Sequence, residues 1–562
     1  MDRPWLAQYP AGVPADIDIH RFASLAAVLV DTCRRFDEQA AYESMGNELS
    51  FRQVESESLA FAAWLQKVAQ LQPGERVGIM MPNLLQVPVA LFGVLRAGLV
   101  VVNINPLYTP RELEHQLKDA GVSAIVVLEN FAHTLAQVIA STSVRIVVTT
   151  QVGDMLPPLR RWLTNVVVKH VKKLVPAWSL PGAVGWRQAL AAGHTKVFDE
   201  VPISLEQLAF LQYTGGTTGV AKGAMLTHGN MVANVMQVGA WISPKLQDGK
   251  ETLVIPLPLY HVFALTGALS FFCHGAKTVL VANPRDMPAF IQTLKASGLT
   301  AIIGVNTLFR MLLDAPAFAD VDLRGLKLAV AGGMAVQHSV AQRWRQRAGV
   351  PLVEGYGLTE SAPVALANPV DVQEWSGQIG VPLPSTLVAI LDDDGKSMPL
   401  GDTGEICLRG PQVMKGYWKR PQDTAQAFHA DGWLRTGDMG LMDVQGSVRL
   451  TDRKKDMIVV SGFKVFPNEI EDVLTLHPGV LEAAAIGVPD DRAGEAVKVV
   501  VVRKDPALTE ADILAHCKLH LTGYKLPRII EFRAEPLPKS AIGKILRREL
   551  RSAGPGQAKP VP

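Results

Sequence analysis

The chain has 562 residues, which is too long for one compact hydrophobic core and indicates more than one domain. Hydrophobic residues make up 48% and charged residues 19%, as in a globular protein, and the formal net charge of +2 excludes a global attraction for nucleic acid. The four cysteines form no CxxC pair, which disfavours a disulfide framework or a zinc site and favours a reducing compartment.

Two features of the sequence predict a cytoplasmic protein. The N-terminal stretch MDRPWLAQYPAGVPADIDIH has no basic end followed by an apolar run, so it does not resemble a signal peptide. The most apolar stretch, Ala264–Ala282, is broken by His274 and Lys277, which argues against a membrane-spanning helix.

Between about residues 22 and 203, short β-branched runs alternate with helical patterns. The predicted strands are Gly74–Pro82, Gly98–Pro106 and Val122–Asn130, and the predicted helices are Phe61–Leu71, Val87–Gly98 and Pro110–Gly121. Continuous apolar strands that alternate with helices are typical of a parallel α/β sheet. A section richer in strands follows from about Ile379 to Leu450, with hairpin signals at DDDGK and DVQGS.

The last part of the chain, from about Asp456, has its own pattern. It predicts helices over Pro467–His477 and Thr509–His520, with strands at VLEAAAIGV and AVKVVVVRK between them. We therefore predict an α/β fold with a large N-terminal domain of stacked α/β sheets and a β-rich subdomain (1–454), a small mobile α+β C-terminal domain (455–553) and a disordered tail (554–562).

The segment Leu156–Trp178 is basic and amphipathic. Its apolar residues fall roughly on one helical face, and its charged residues are all cations: Arg160, Arg161, Lys169, Lys172 and Lys173. Such a helix with a tryptophan suits an anionic membrane interface. It equally suits a surface helix that packs its apolar face on its own domain, and periodicity does not separate the two.

The stretch YTGGTTGVAKGA, Tyr213 to Ala224, packs glycines and threonines around Lys222. Glycine lets backbone N–H groups approach an anion closely, threonine hydroxyls add donors, and the lysine adds a charge. The stretch is not a Walker A loop, because Gly223 follows the lysine where that motif needs a hydroxyl residue. It predicts a polyphosphate-binding loop, the alternative being a flexible linker.

Three further motifs carry side chains suited to a nucleotide. EGYGLTE, Glu354 to Glu360, offers a tyrosine face for a purine and a carboxylate for Mg²⁺. Asp438 and Arg453 can hold ribose hydroxyls, and Lys544 follows a glycine turn before a basic helix. Taken singly, these residues fit equally well an ordinary strand-to-helix turn, a hairpin aspartate, a salt-bridge arginine and a solvated lysine.

In this order and spacing, the four motifs resemble the acyl-adenylate-forming superfamily of acyl-CoA synthetases, luciferases and adenylation domains. The resemblance covers about residues 20 to 551. The stretches PLYHVFALTGAL, NPRDMP, GVNTLF, GPQVMKGYW, DRKKDMIVVSGFKVFPNEIEDV and GKILRREL look like bacterial long-chain fatty acid–CoA ligases.

The resemblance implies a Mg²⁺-dependent enzyme that uses ATP and coenzyme A. A fatty acid and ATP would give acyl-AMP and pyrophosphate, and coenzyme A would then displace AMP to give an acyl-CoA for β-oxidation or lipid synthesis. A homodimer and peripheral contact with the inner face of the cell membrane are also expected. The alternatives are a medium-chain or aryl-acid CoA ligase, a fatty acyl-AMP ligase that loads a carrier protein, and a non-catalytic lipid-binding relative.

The resemblance also implies roles for individual residues. Lys544 would be the main catalytic cation, with Thr217, Glu360 and His261, and Thr217 and Glu360 would hold Mg²⁺. The nucleotide would be bound by Thr214, Gly215, Gly216, Thr217, Thr218, Gly219, Lys222, Gly333, Glu354, Gly355, Tyr356, Gly357, Thr359, Asp438 and Arg453. Lys455 would be the hinge, where many relatives carry aspartate. Coenzyme A would meet Gly462, Phe463 and Lys464, and the acyl pocket would include His261, Val262, Phe263 and Gly304.

Overall fold

A computed structural model of the protein describes residues 2–214, 221–461, 463–490, 492–540 and 543–552, with only the backbone of Ser552. The first range alternates helices and strands. Its strands are β1 (Ala40–Ser44), β2 (Asn47–Ser50), β3 (Arg76–Met80), β4 (Val100–Asn103), β5 (Val122–Leu128), β6 (Ile146–Thr150), β7 (Val184–Gly185) and β8 (Leu208–Thr214). Its α-helices are α1 (Leu25–Phe36), α2 (Phe51–Lys67), α3 (Gln86–Arg96), α4 (Pro110–Ala120), α5 (Ala132–Val138), α6 (Pro158–Val166) and α7 (Trp186–His194).

The middle of the chain completes the large sheets and adds an antiparallel one. Its strands are β9 (Lys222–Thr227), β10 (Thr252–Ile255), β11 (Lys277–Leu280), β12 (Ala301–Gly304), β13 (Leu328–Gly332), β14 (Leu352–Gly357), β15 (Val364–Ala367), β16 (Val381–Pro382), β17 (Leu387–Leu391), β18 (Gly404–Arg409), β19 (Leu434–Met442) and β20 (Val448–Arg453). Its α-helices are α8 (His228–Ile242), α9 (Val262–Cys273), α10 (Met287–Ser297), α11 (Asn306–Asp314), α12 (His338–Ala348) and α13 (Pro421–Ala427).

The last part has a sheet of its own. Its strands are β21 (Ile458–Val460), β22 (Phe463–Val465), β23 (Val480–Asp490), β24 (Gly494–Arg503) and β25 (Ile529–Arg533), and its α-helices are α14 (Pro467–Leu476), α15 (Glu510–His520) and α16 (Arg547–Ser552). The predicted boundary at residue 454 falls between β20 and β21, and the domain division stays a prediction. The predicted tail, 554–562, lies outside the described residues.

Four sheets organise the molecule. A seven-stranded sheet has the order β7-β6-β5-β3-β4-β8-β9, and a nine-stranded sheet has the order β16-β15-β14-β13-β12-β10-β11-β1-β2. The seven-stranded sheet is parallel except for the pair β8–β9 at one edge. The nine-stranded sheet is parallel at its centre and antiparallel toward both edges, at β14–β15–β16 and at β1–β2. A four-stranded antiparallel sheet, β17-β18-β19-β20, and the C-terminal sheet complete the set. The predicted α/β class with a small C-terminal domain is confirmed.

Local sequence explains where these elements begin and end. The strand β5 is buried along its whole length, which is why it reads as an uninterrupted apolar run. The helix α4 begins with a capping box between Thr109 and Glu112 and ends at Gly121, whose φ of 63° suits a residue without a side chain. The bounds predicted for α2 are wrong, because a capping box of Ser50 and Gln53 starts that helix ten residues earlier than Phe61.

Contacts between α11 and the C-terminal part fix how the two lie together. Arg310 donates to the Leu481 carbonyl and to Glu482, each at 2.9 Å. At Gly543, whose φ is +85°, a Cβ would lie 2.5 Å from Thr307 Oγ1, so the residue before Lys544 sits directly on α11. Across the described residues, no helix combines the length and the apolar character needed to cross a bilayer.

Candidate active site

The predicted phosphate loop joins two strands at a sheet edge. Thr214 ends β8 and pairs with Lys222, which begins the antiparallel strand β9. The two ends of the loop between them are therefore neighbours on adjacent strands. Five residues that are given phosphate or Mg²⁺ roles above lie outside the described residues: Gly215, Gly216, Thr217, Thr218 and Gly219.

Lys222 and Glu360 meet on one tyrosine. The Tyr417 hydroxyl donates to Glu360 Oε1 at 2.7 Å, and Lys222 Nζ lies 5.4 Å from the centre of the Tyr417 ring. The ammonium also pairs with Asp423 Oδ1 at 2.5 Å. Burial and the Glu360 carboxylate raise the pKa of Tyr417, so its hydroxyl stays a donor. One side chain thus orients the predicted metal ligand and contacts a predicted phosphate ligand.

The segment around Tyr417 lies beside β9, joined to it by an isolated antiparallel bridge between Tyr417 and Ala224. The Met414 amide donates to the Glu360 carbonyl, and the Trp418 amide donates to the Gly223 carbonyl, both at 2.8 Å. From the other side, Asp119 accepts hydrogen bonds from Arg420 at 2.9 Å and from the Tyr213 hydroxyl at 2.6 Å. The same carboxylate therefore holds both the residue before Thr214 and the Tyr417 segment.

Sequence reasoning missed Tyr417, Asp423 and Asp119. Tyr417 lies in the stretch GPQVMKGYW, which carried the resemblance without a role for any single residue. Its bond to Glu360 joins positions 57 apart in sequence, and the Lys222–Asp423 bond joins positions 201 apart. Neither contact has a local pattern that could have predicted it.

The EGYGLTE motif forms the end of β14 and the turn after it. Thr359 begins a short 3-10 turn that ends at Ser361 and carries Glu360. At Gly357 a Cβ would lie 1.8 Å from the Pro363 carbonyl oxygen, so only glycine fits there. Glu354 is buried, its pKa is raised to about 8 by desolvation, and one of its oxygens accepts from the Val336 amide. That contact favours a structural role for this carboxyl group, which links β14 to the segment after β13.

Tyr356 connects this motif to the predicted ribose site. Its hydroxyl donates to Asp438 Oδ2 at 2.7 Å. Asp438 on β19 and Arg453 on β20 are cross-strand partners, and Arg453 Nε lies 3.5 Å from Asp438 Oδ1. Gly333, predicted to frame the adenine, directly follows β13, the neighbour of β14, with a φ of +75°.

Lys544 is electrostatically coupled to the same pair. Its pKa is lowered to about 8, first by desolvation and then by the Arg453 cation, while Asp438 acts in the opposite direction. The pKa of Lys455 is also lowered to about 8 by desolvation and by Arg453. Besides Asp438 and Arg453, the charges that act on these two lysines include the Asp456 carboxylate and the Arg547 and Arg551 guanidinium groups. Cations therefore outnumber carboxylates in this region, which suits a polyphosphate.

Two of the three residues predicted to meet coenzyme A, Phe463 and Lys464, lie on β22. Phe463 is exposed and stacks on Tyr524 with ring centres 4.8 Å apart, and Lys464 is also exposed. Gly462, the position predicted to pack near the pantetheine, lies outside the described residues.

An apolar cavity of about 50 Å³ lies between the nine-stranded sheet and helices α8 and α9. Of the predicted acyl-pocket residues, Phe263 lines it, and Val262 is the buried neighbour that begins α9. Gly304 follows the lining residue Ile303 on β12. His261 caps α9, and desolvation lowers its pKa, which favours a neutral imidazole. Gly355 also lines the cavity and links it to Tyr356 and Asp438.

Comparison with known protein families agrees with this arrangement. A family model described as AMP-binding enzyme matches residues 29–418, and the model of the AMP-binding enzyme C-terminal domain matches residues 469–544. The chain belongs to the AMP-binding enzyme family. The predicted family resemblance is therefore confirmed.

Individual relatives match nearly the whole chain. It is 53% identical to a long-chain-fatty-acid–CoA ligase of Escherichia coli O6:H1 (strain CFT073) over 558 residues, 99% of each chain. It is 51% identical to the Haemophilus influenzae protein of the same name, over 98% of each chain. The crystal structure of the anthranilate CoA ligase AuaEII with anthranoyl-AMP has a TM-score of 0.83 and 25% identity, and covers 96% of this chain and 99% of that one.

Proposed function

We propose that this protein is an ATP-dependent long-chain fatty acid–CoA ligase. The observation that carries the proposal is that a charge cluster of Lys544, Asp438 and Arg453 adjoins an apolar cavity. The link is Tyr356, which donates to Asp438 and is the chain neighbour of the cavity-lining Gly355. A nucleotide-binding charge cluster joined to an apolar cavity suits the activation of a fatty acid. The names of the relatives support the same substrate class.

In the first half-reaction the fatty carboxylate attacks the α-phosphate of ATP, so two anions must approach each other. The Lys544 cation would stabilise both, and its role would be electrostatic. Asp438 would accept hydrogen bonds from the ribose hydroxyls, with Arg453 beside it. Tyr356 and Gly333 would frame the adenine, and Thr359 would contact the α-phosphate.

The chemistry of the donor groups fits Mg²⁺. Within the described ranges no cluster of three or more His, Cys, Asp or Glu side chains is arranged to hold a metal, so a binding site made of protein alone is absent there. Mg²⁺ is usually held by one or two carboxylates together with substrate phosphates. Glu360 would supply that carboxylate, and Thr217 is the second proposed ligand. The ion would neutralise phosphate charge.

The second half-reaction needs a thiol where Lys544 now lies. We expect the C-terminal part to rotate about Lys455, so that Lys544 leaves and the segment with Phe463 and Lys464 approaches. Both side chains are exposed in the present arrangement, which leaves them free for coenzyme A.

The test is incubation with ATP, Mg²⁺, coenzyme A and acids from acetate to oleate, with benzoate and cinnamate added, followed by mass spectrometry. Long-chain acyl-CoA with stoichiometric AMP is the expected result. Preference for a medium-chain or aromatic acid would mean that the protein is a medium-chain or aryl-acid CoA ligase and not a long-chain one. Acyl-AMP without thioester would indicate a carrier-loading ligase, and no product would contradict the proposal.

We further propose that the segment Leu156–Trp178 binds an anionic membrane surface. The structure forms α6 and a π-helical turn, Val167–Val171, in this segment. Leu159, Trp162 and Val171 are 77%, 63% and 70% exposed, which argues against a face packed on its own domain. Exposed apolar side chains among five cations suit the interface of an anionic bilayer.

Vesicle binding tests this membrane proposal. Trp162→Ser with Lys172→Gln and Lys173→Gln should weaken binding to phosphatidylglycerol vesicles at least tenfold. Lys250→Gln with Lys518→Gln removes two exposed charges elsewhere and should not. Equal binding by both variants would contradict the proposal. The homodimer stays a prediction, which light scattering of the purified protein would test.

A further inference from the structure

The apolar cavity extends away from the candidate active site along the face of the sheet. Phe263 and Gly355 line it near the site, and Ile242, Val353 and Val370 also line it. Val353 precedes Gly355 by two positions on β14, so both positions face the same side of the strand. The cavity therefore runs from the carboxyl end of β14 toward its amino end.

A second cavity, of about 150 Å³, lies at that amino end, where Pro351 precedes β14. Val353 and Val370 line this cavity as well as the apolar one, and so they stand between the two. The second cavity contrasts with the first in its charge, because its charged lining residues are all cations: Lys245, Lys327 and Arg345.

These cations are incompletely neutralised. Lys327 pairs with Glu251 at 2.7 Å, but Arg345 Nη1 is buried and has no hydrogen-bond partner among the described residues. Within the part of the chain that the structure describes, neither Arg345 nor Lys245 forms an ion pair. A buried donor left without a partner is destabilising, and a carboxylate is the acceptor that fits a guanidinium best.

We propose that the enzyme also activates long-chain α,ω-dicarboxylic acids, whose far carboxylate binds to Arg345 and Lys245. The inference rests on the proposed function: one carboxylate reacts as in a simple fatty acid, and the other is unchanged. The methylene chain follows the line of the apolar cavity, which widens from its volume of about 50 Å³ when the chain enters, and passes between Val353 and Val370 as these buried side chains move. From Gly355 to Pro351 the strand spans roughly 13 Å, so short diacids should not reach the basic cavity.

The experiment compares kcat/KM for palmitate, for hexadecanedioate and for the monomethyl ester of hexadecanedioate, whose far end is neutral. Octanedioate serves as the short diacid. The variants are Arg345→Met and Lys245→Met, singly and together. Lys250→Met, which removes an exposed lysine that does not line the cavity, is the matched control.

We expect the unmodified protein to activate hexadecanedioate and to discriminate against octanedioate. The double variant should lose at least tenfold in kcat/KM for hexadecanedioate, with palmitate and the half-ester changed less than twofold. The single variant at the partly exposed Lys245, Lys245→Met, serves as a second variant should Arg345→Met misfold, and it should show the same selective loss to a smaller degree.

Three outcomes would overturn the proposal: no activation of hexadecanedioate by an enzyme that activates palmitate, equal losses for the diacid and the half-ester, or the same loss in Lys250→Met. Failure to activate palmitate as well would instead contradict the proposed function, so the two failures are distinguishable.

Discussion

Replacing Tyr417 with phenylalanine tests how the structure prepares the metal ligand. The substitution removes the hydroxyl that donates to Glu360 Oε1 at 2.7 Å and keeps the ring beneath Lys222. A hydrogen bond to a charged group contributes about 1.5–3 kcal/mol, which corresponds to a factor of roughly 10 to 100. Loss of a partner that orients a metal ligand typically costs a similar factor in affinity or activity. We therefore expect the Mg²⁺ concentration for half-maximal adenylation to rise at least tenfold.

The assay is pyrophosphate release at saturating ATP and palmitate, measured across a range of free Mg²⁺. Tyr9→Phe is the matched control, because it removes a tyrosine hydroxyl hydrogen bond of 2.7 Å to the Pro382 carbonyl without touching Glu360. It should leave the Mg²⁺ dependence unchanged. An unaltered Mg²⁺ dependence in Tyr417→Phe, or an equal shift in the control, would refute the reasoning.

Three further predictions concern Lys544. Lys544→Ala should abolish acyl-AMP formation and largely spare thioester formation from supplied acyl-AMP; equal loss of both steps would contradict its role. Gly543→Val should slow acyl-AMP formation at least tenfold in the same assay, because its Cβ would lie 2.5 Å from Thr307 Oγ1. Gly401→Val, at a glycine of positive φ with open space around it, is its control and should not. The phosphates of ATP should raise the lowered pKa of Lys544. Calorimetry should therefore find proton uptake on ATP binding near pH 8, and less uptake near pH 6.5, where the lysine is already protonated. Equal proton uptake at both pH values would contradict this prediction.

The parallel sheets could be predicted from sequence because burial on both faces leaves a continuous apolar run. The strands β3, β4 and β5 fall within the predicted segments for this reason. The start of α2 could not be predicted from apolar periodicity, since its first turns carry RQVESES and are defined by the Ser50 cap. A capping box is a local signal, and attention to it would have corrected the bounds.

The candidate site divides in the same way. Four of the predicted residues lie in motifs that can be recognised in the sequence alone, and the structure brings them together: Tyr356, Asp438, Arg453 and Lys544. The Tyr417–Glu360 contact depends on the path of the chain between β18 and α13, which no local pattern records.

The two sides of the candidate site are held in different ways, and this difference suits the proposed two-step reaction. The Glu360 side is fixed by the main-chain bond from Met414 and by the Asp119 carboxylate, so the proposed metal ligand keeps one position. The Lys544 loop rests on α11 through the close approach of Gly543, and Arg310 adds a polar contact nearby. A loop that approaches through glycine makes few side-chain contacts that must break when it leaves. The phosphate-binding half of the site can therefore stay in place while the lysine withdraws to admit the thiol.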